Sequence, residues 1–168
     1  SSTVNGINMS SFDIRTFKDN KGLSDIISSA DIIITGGTTF YRYQCIRQSQ
    51  KYLIMDIYDP YNLATLAEYS GKPIEERLNI HKAVYTNLNE QIYHGDFFMC
   101  ASERQRDFWL GMLSALNRVN PFSYHEDPTL KRMIDVVPFG LESHEPIHTK
   151  KVLKGVVEGI REEDFLII

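Results

Sequence analysis

Cysteine is scarce in this chain: Cys45 and Cys100 are the only two in 168 residues. Two such distant thiols can build neither a disulfide framework nor a thiolate metal site, and a reducing, cytoplasmic setting is the default this implies. Positive charge is not in excess either. With 18 Lys plus Arg against 22 Asp plus Glu, the net charge is −4, so there is no cationic field to gather nucleic acid or anionic lipid. No apolar run approaches the roughly 18 residues of a membrane span, and residues 1 to 11 lack the basic and apolar stretches of a signal peptide. The 42% hydrophobic content is enough for one globular domain with a real core.

Between the termini, short β-branched runs alternate with longer helical patterns, and that predicts an α/β fold with a mostly parallel sheet and crossover helices. Residues 12 to 17 alternate as a strand, and Leu23, Ile26, Ile27 and Ala30 are spaced for a helix. Asp31 to Thr35 reads as a buried strand ended by Gly36 and Gly37. A helix capped by Thr38 or Thr39 is expected to run to about Ser49, followed by a strand over Lys51 to Asp56. Helices are then expected over Tyr61 to Tyr69 and from Pro73 to about His94. A strand over Asp96 to Ala101 leads to a helix from Glu103 to about Asn117, with Ser102 and Gln105 as its capping box. Residues 118 to 131 show no clear periodicity and read as a surface excursion. The strand Ile134 to Val137 ends at Pro138-Phe139-Gly140, residues 141 to 163 read as a linker with a short helix over 152 to 160, and a last strand begins at Phe165. That unpartnered apolar end leads us to expect a piece of a longer protein.

Chemistry-bearing residues collect at the carboxyl ends of the expected strands, the edge of an open α/β sheet that faces ligand. Gly36 and Gly37 follow the first buried strand, either as a tight turn or as a place where ligand approaches backbone closely. Asp56, Tyr58 and Asp59 follow the next strand; the alternative roles are a cap for Asp56 and turn chemistry for Asp59-Pro60. Ser102, Glu103 and Arg104 follow the third strand, with capping sufficient to explain Ser102. His144-Glu145-Pro146-Ile147-His148 has the letters of a zinc-protease motif, but Pro146 forbids the helix that would bring both histidines to one face, so no metal site is assigned. The two cysteines read as small buried hydrophobes.

The run Gly95-Asp96-Phe97-Phe98-Met99-Cys100-Ala101-Ser102-Glu103, with Ile134-Asp135-Val136-Val137-Pro138-Phe139-Gly140 some thirty residues later, resembles glycosyltransferases of the GT-B fold. It is closest to family 4, also called group one, and to a bacterial subgroup of it. Phe139 and Leu141 stand where that family has Asn and Val. The resemblance covers roughly residues 31 to 168. It implies a Rossmann-like acceptor-side domain over residues 1 to 140, incomplete at its start, and an interdomain linker with the start of the donor-binding domain over 141 to 168. Pro138, Phe139 and Gly140 would be the interdomain hinge.

By the same resemblance Asp56 takes the place of a catalytic or acceptor-orienting residue, often His in the family. Gly36, Gly37, Tyr58, Asp59, Ser102, Glu103 and Arg104 would line the acceptor cleft. The full-length protein would be an enzyme moving a sugar from a nucleotide-sugar donor to a glycan, lipid or small-molecule acceptor, as in polysaccharide biosynthesis. It would act in the cytoplasm or at the inner membrane face. The donor would bind beyond Ile168, so these residues alone would hold no cofactor and be inactive. The rival class is a non-catalytic α/β ligand-binding or interaction module. Donor sugar, acceptor, anomeric outcome and oligomeric state are not legible.

Overall fold

The computed structural model describes residues 13–141, 145, 147 and 149–165. The chain divides into two compact units that meet between Pro138 and Phe139. The first is an α/β unit whose four strands, β1 (Ile32–Thr35), β2 (Tyr52–Asp56), β3 (Phe97–Cys100) and β4 (Ile134–Val136), form one parallel sheet in the order β1-β2-β3-β4. Register places Thr35 beside Met55, Met55 beside Phe98, and Phe98 beside Ile134.

The connections are helical, as parallel pairing demands. Helix α1 (Asn20–Ser28) precedes β1, and Asp19 Oδ1 caps it by accepting from the Gly22 N–H. Helices α2 (Gly37–Arg42) and α3 (Gln44–Arg47) join β1 to β2, α4 (Tyr61–Glu68) and α5 (Ile74–His94) join β2 to β3, and α6 (Glu103–Ala115) and α7 (Pro121–Glu126) join β3 to β4. Every connection steps one strand in the same direction. Right-handed crossovers repeated in one direction fall on one face of a sheet, and the burial pattern follows from that. Leu53, Met55, Phe98, Cys100 and Ile134 point to the helices and share a core with Phe40, Ile46, Leu88, Ile92, Trp109 and Leu113. The alternate residues point the other way: Ile32, Ile34 and Tyr52 are 53%, 63% and 70% exposed.

Two arginines tie the helical layer to the sheet. Arg106, buried one turn into α6, donates from Nε to the Ile134 carbonyl and from its guanidinium to that of Thr129, which secures the approach to β4. Arg118 donates to the carbonyls of Ile92, Tyr93 and Gly95 at 2.6–2.9 Å, satisfying the open C-terminal end of α5.

Several expectations are corrected. Residues 13–17 are irregular and exposed, not a strand, and Phe12 lies outside the described residues. The strand at Ile32–Thr35 is buried on one face only. The helix expected to run unbroken to Ser49 starts at Gly37 with no side-chain cap from Thr38 or Thr39, and it breaks at Tyr43, whose extended backbone separates α2 from α3. Residues 118–131 are not simply an excursion: Asn120 caps α7 in a reciprocal box with Ser123, with Pro121 opening the helix. The second unit, from Phe139, has turns at 152–160 where a helix was expected. It is braced locally by the Lys151–Glu162 ion pair at 2.7 Å and by Arg161 with Asp164. The strand expected from Phe165 and the motif positions His144, Pro146 and His148 lie outside the described residues, save Phe165 itself, which is exposed.

Candidate functional site

At the carboxyl ends of β1 and β2 an open depression of about 310 Å³ is lined by Gly36, Gly37, Asp56, Tyr58, Asp59 and Tyr61. Five of these six are residues that the sequence pattern singles out. They converge because parallel pairing sets the two strand ends side by side, Thr35 against Met55, so the residues that follow each strand share one rim.

Glycine is required at both positions, for different reasons. A Cβ on Gly36 would lie 2.3 Å from the Asp56 carbonyl oxygen, so only glycine lets the end of β1 press against the end of β2. Gly37 has open space around it but a φ of +54°, the left-handed region where a side chain is strained. Its peptide is gripped on both sides by α5. The Gly37 N–H donates to Gln91 Oε1 at 3.0 Å, and Asn87 Nδ2 donates to the Gly37 carbonyl at 3.1 Å. Asn87 and Gln91 are one helical turn apart on the buried face of α5.

Gln91 also reaches the other wall. Its Nε2 donates to Tyr61 Oη at 2.7 Å and faces the Asn87 carbonyl and side-chain oxygens at 3.4 and 3.3 Å. Gln91 is fully buried, so each of these bonds replaces water that it has lost. The Tyr61 hydroxyl is pushed up from 10.0 to about 12, first by burial and against the opposing effect of the Gln91 bond. It therefore stays protonated across the physiological range.

Asp56 accepts the Tyr58 N–H at Oδ1, 3.1 Å away, which folds the chain back over the strand end. It does not cap the next helix: the cap position of α4 is Pro60, with no side-chain bond. Asp59 is exposed, and its carbonyl accepts from the Tyr61 N–H at 2.7 Å. No Lys, Arg or His is among the lining residues.

Ser102, Glu103 and Arg104, which follow the end of β3, are not among the residues lining this depression. Ser102 Oγ accepts from the Gln105 N–H and caps α6, while Gln105 Oε1 reaches back to the Ala101 N–H at 2.8 Å, one residue earlier than a strict capping box. Glu103 and Arg104 are exposed. Cys100 is buried, and burial is the main cause of its thiol being pushed up, against the nucleophilic thiolate form; Cys45 is half-buried. Pro138 and Phe139 flank the boundary between the two units, and Gly140 follows it. Among the described residues no helix is long and apolar enough to cross a membrane, and no group of three His, Cys, Asp or Glu residues is placed to hold a metal ion.

Tyr61, Asn87 and Gln91 are the site residues that pattern reading missed. A signal was present: two amides, one turn apart, interrupt the apolar stripe of α5 beside Leu88 and Ile92, where a buried polar pair needs partners.

Geometry and topology thus define an α/β unit with a four-stranded, all-parallel sheet, compatible with a Rossmann-like fold, and a depression at its strand ends. Scans against family models, curated proteins and solved structures return no match to the chain.

Proposed function

We propose that this chain supplies the acceptor side of a GT-B-type glycosyltransferase, the full protein moving a sugar from a nucleotide donor to a hydroxyl-bearing acceptor. The observation that carries it is the convergence of Gly36, Gly37, Asp56, Tyr58 and Asp59 on one depression at adjacent strand ends. The resemblance of residues 95–103 and 134–140 to that enzyme group supports the same reading. Asp56 keeps its second oxygen for an acceptor hydroxyl, as hydrogen-bond acceptor or as the negative group beside a developing positive anomeric carbon. The diphosphate of a donor needs cations or free backbone N–H groups, and the depression has no cationic lining, so the donor is assigned to another part of the protein.

The test is sugar transfer by the product of the whole gene with a panel of nucleotide sugars. Asp56→Ala is expected to lower turnover by about 100-fold or more, with donor binding nearly intact. An unchanged rate removes Asp56 from the chemistry, and no transfer from any donor removes the enzyme reading in favour of a binding module. Calorimetry on the 168 residues alone is expected to find no micromolar nucleotide-sugar binding.

A further inference from the structure

The proton logic of the depression identifies what it binds. Gln91 Oε1 accepts the Gly37 N–H, which fixes the orientation of the amide, and its Nε2 must then donate to Tyr61 Oη. The phenol oxygen is an acceptor in that bond, so its own proton is left to donate. Among the described residues no hydrogen bond from that hydroxyl is found, and Tyr61 lines the depression. The same lining holds the carboxylates of Asp56 and Asp59, which only accept, together with Tyr58.

An anion placed there meets two carboxylates and no cation. A bare cation is drawn to the two carboxylates but leaves the phenol proton without an acceptor. A hydroxyl group both donates and accepts, and satisfies the two walls together. We propose that the depression selects hydroxyl-rich ligands that carry no negative charge, such as neutral sugars, with Tyr61 donating to one ligand hydroxyl and Gln91 as the positioning residue that leaves its proton free to donate. This rests on the acceptor-site reading above and names its substrate class. Burial keeps the donor in place, since the hydroxyl does not ionise near neutral pH.

Ligand-observed NMR on the 168-residue chain tests it, with the methyl glycosides of glucose, galactose and mannose as neutral probes and glucose 6-phosphate and glucosamine as charged ones. At least one methyl glycoside is expected to bind, glucose 6-phosphate to bind more weakly, and glucosamine, whose ammonium the carboxylates attract, to bind at least as well. Tyr61→Phe, which keeps the ring, is expected to weaken that binding about tenfold. Gln91→Glu keeps an acceptor for Gly37 but accepts the Tyr61 proton, so it should cost the same tenfold, and the double variant should lose no more than either single one.

Equal or tighter binding of glucose 6-phosphate, an unchanged Tyr61→Phe, additive losses, or no binding of any methyl glycoside overturns the proposal. In the unaltered chain the Tyr61 ring resonance should move on titration, and a still resonance overturns it whether or not the variants fold. Transfer activity separates the two readings: transfer that survives Tyr61→Phe with unchanged KM sinks this inference alone. Absent transfer alongside Tyr61-dependent glycoside binding sinks only the enzyme.

Discussion

The two faces of the sheet are both rich in large apolar residues but differ in surroundings. One presents Leu53, Met55, Phe98, Cys100 and Ile134 to the helices and is buried throughout; the other presents Ile32, Ile34 and Tyr52 to solvent. Apolar content hardly distinguishes them, because parallel strands read as continuous apolar runs whichever way each residue points, although Asp56 and Asp135 both fall on the second face. Direction of winding distinguishes them. A one-way series of crossovers covers one face and leaves the other without a helical layer among the described residues, most exposed at Ile32, Ile34 and Tyr52.

The largest expected effect is on the packed face. Trp109→Ala empties the space of the bulkiest fully buried side chain and should cost about 3–5 kcal/mol in urea unfolding; a loss below about 1 kcal/mol would mean that the helical layer is loose. Next comes the rim where the strands end. Gly36→Ala forces a Cβ against the Asp56 carbonyl, a clash with backbone that cannot turn aside, and should cost about 1–3 kcal/mol. Wild-type stability in that variant would place the two strand ends further apart.

Smaller is the alkaline response. Because the Tyr61 pKa is raised in the folded state, its contribution is complete below the ordinary value of 10.0 and is lost as pH rises toward about 12, where the folded hydroxyl also ionises. Wild type should therefore lose more stability than Tyr61→Phe between pH 10 and 12, and parallel curves would return Tyr61 to open solvent. The smallest effect belongs to the bare face: Ile34→Ser should change stability by no more than about 0.5 kcal/mol. A cost above about 2 kcal/mol would show that this face is covered in solution, by another part of the protein or by a second copy, and would erase the contrast between the faces.

Much of the layout was legible because it is written in local pattern. The strands at Ile32, Tyr52, Phe97 and Ile134, the long helix ending at His94, and the Ser102 cap each follow from neighbouring residues. The failures also have local causes. Apolar content near Tyr43 hid a break that depends on one backbone angle, and the Asn120-Pro121 start of α7 was hidden by a segment too short to show a period. The depression was legible in part: glycines and carboxylates after strands are conspicuous. Gln91 was not, since its bonds to Tyr61 and Gly37 span 30 and 54 residues.

By itself, then, the sequence determined the kinds and order of the elements, and that Gly36, Gly37, Asp56, Tyr58 and Asp59 would follow strands. Periodicity, capping and glycine's conformational freedom act within a few residues. Only the tertiary structure decided that β1 and β2 would be neighbours, that Ile32, Ile34 and Tyr52 would face solvent, that Ser102 to Arg104 would not line the depression, and that a buried glutamine would bond both Gly37 and Tyr61. Those outcomes depend on which strand ends meet and which helix face is buried, and no short window of sequence contains them.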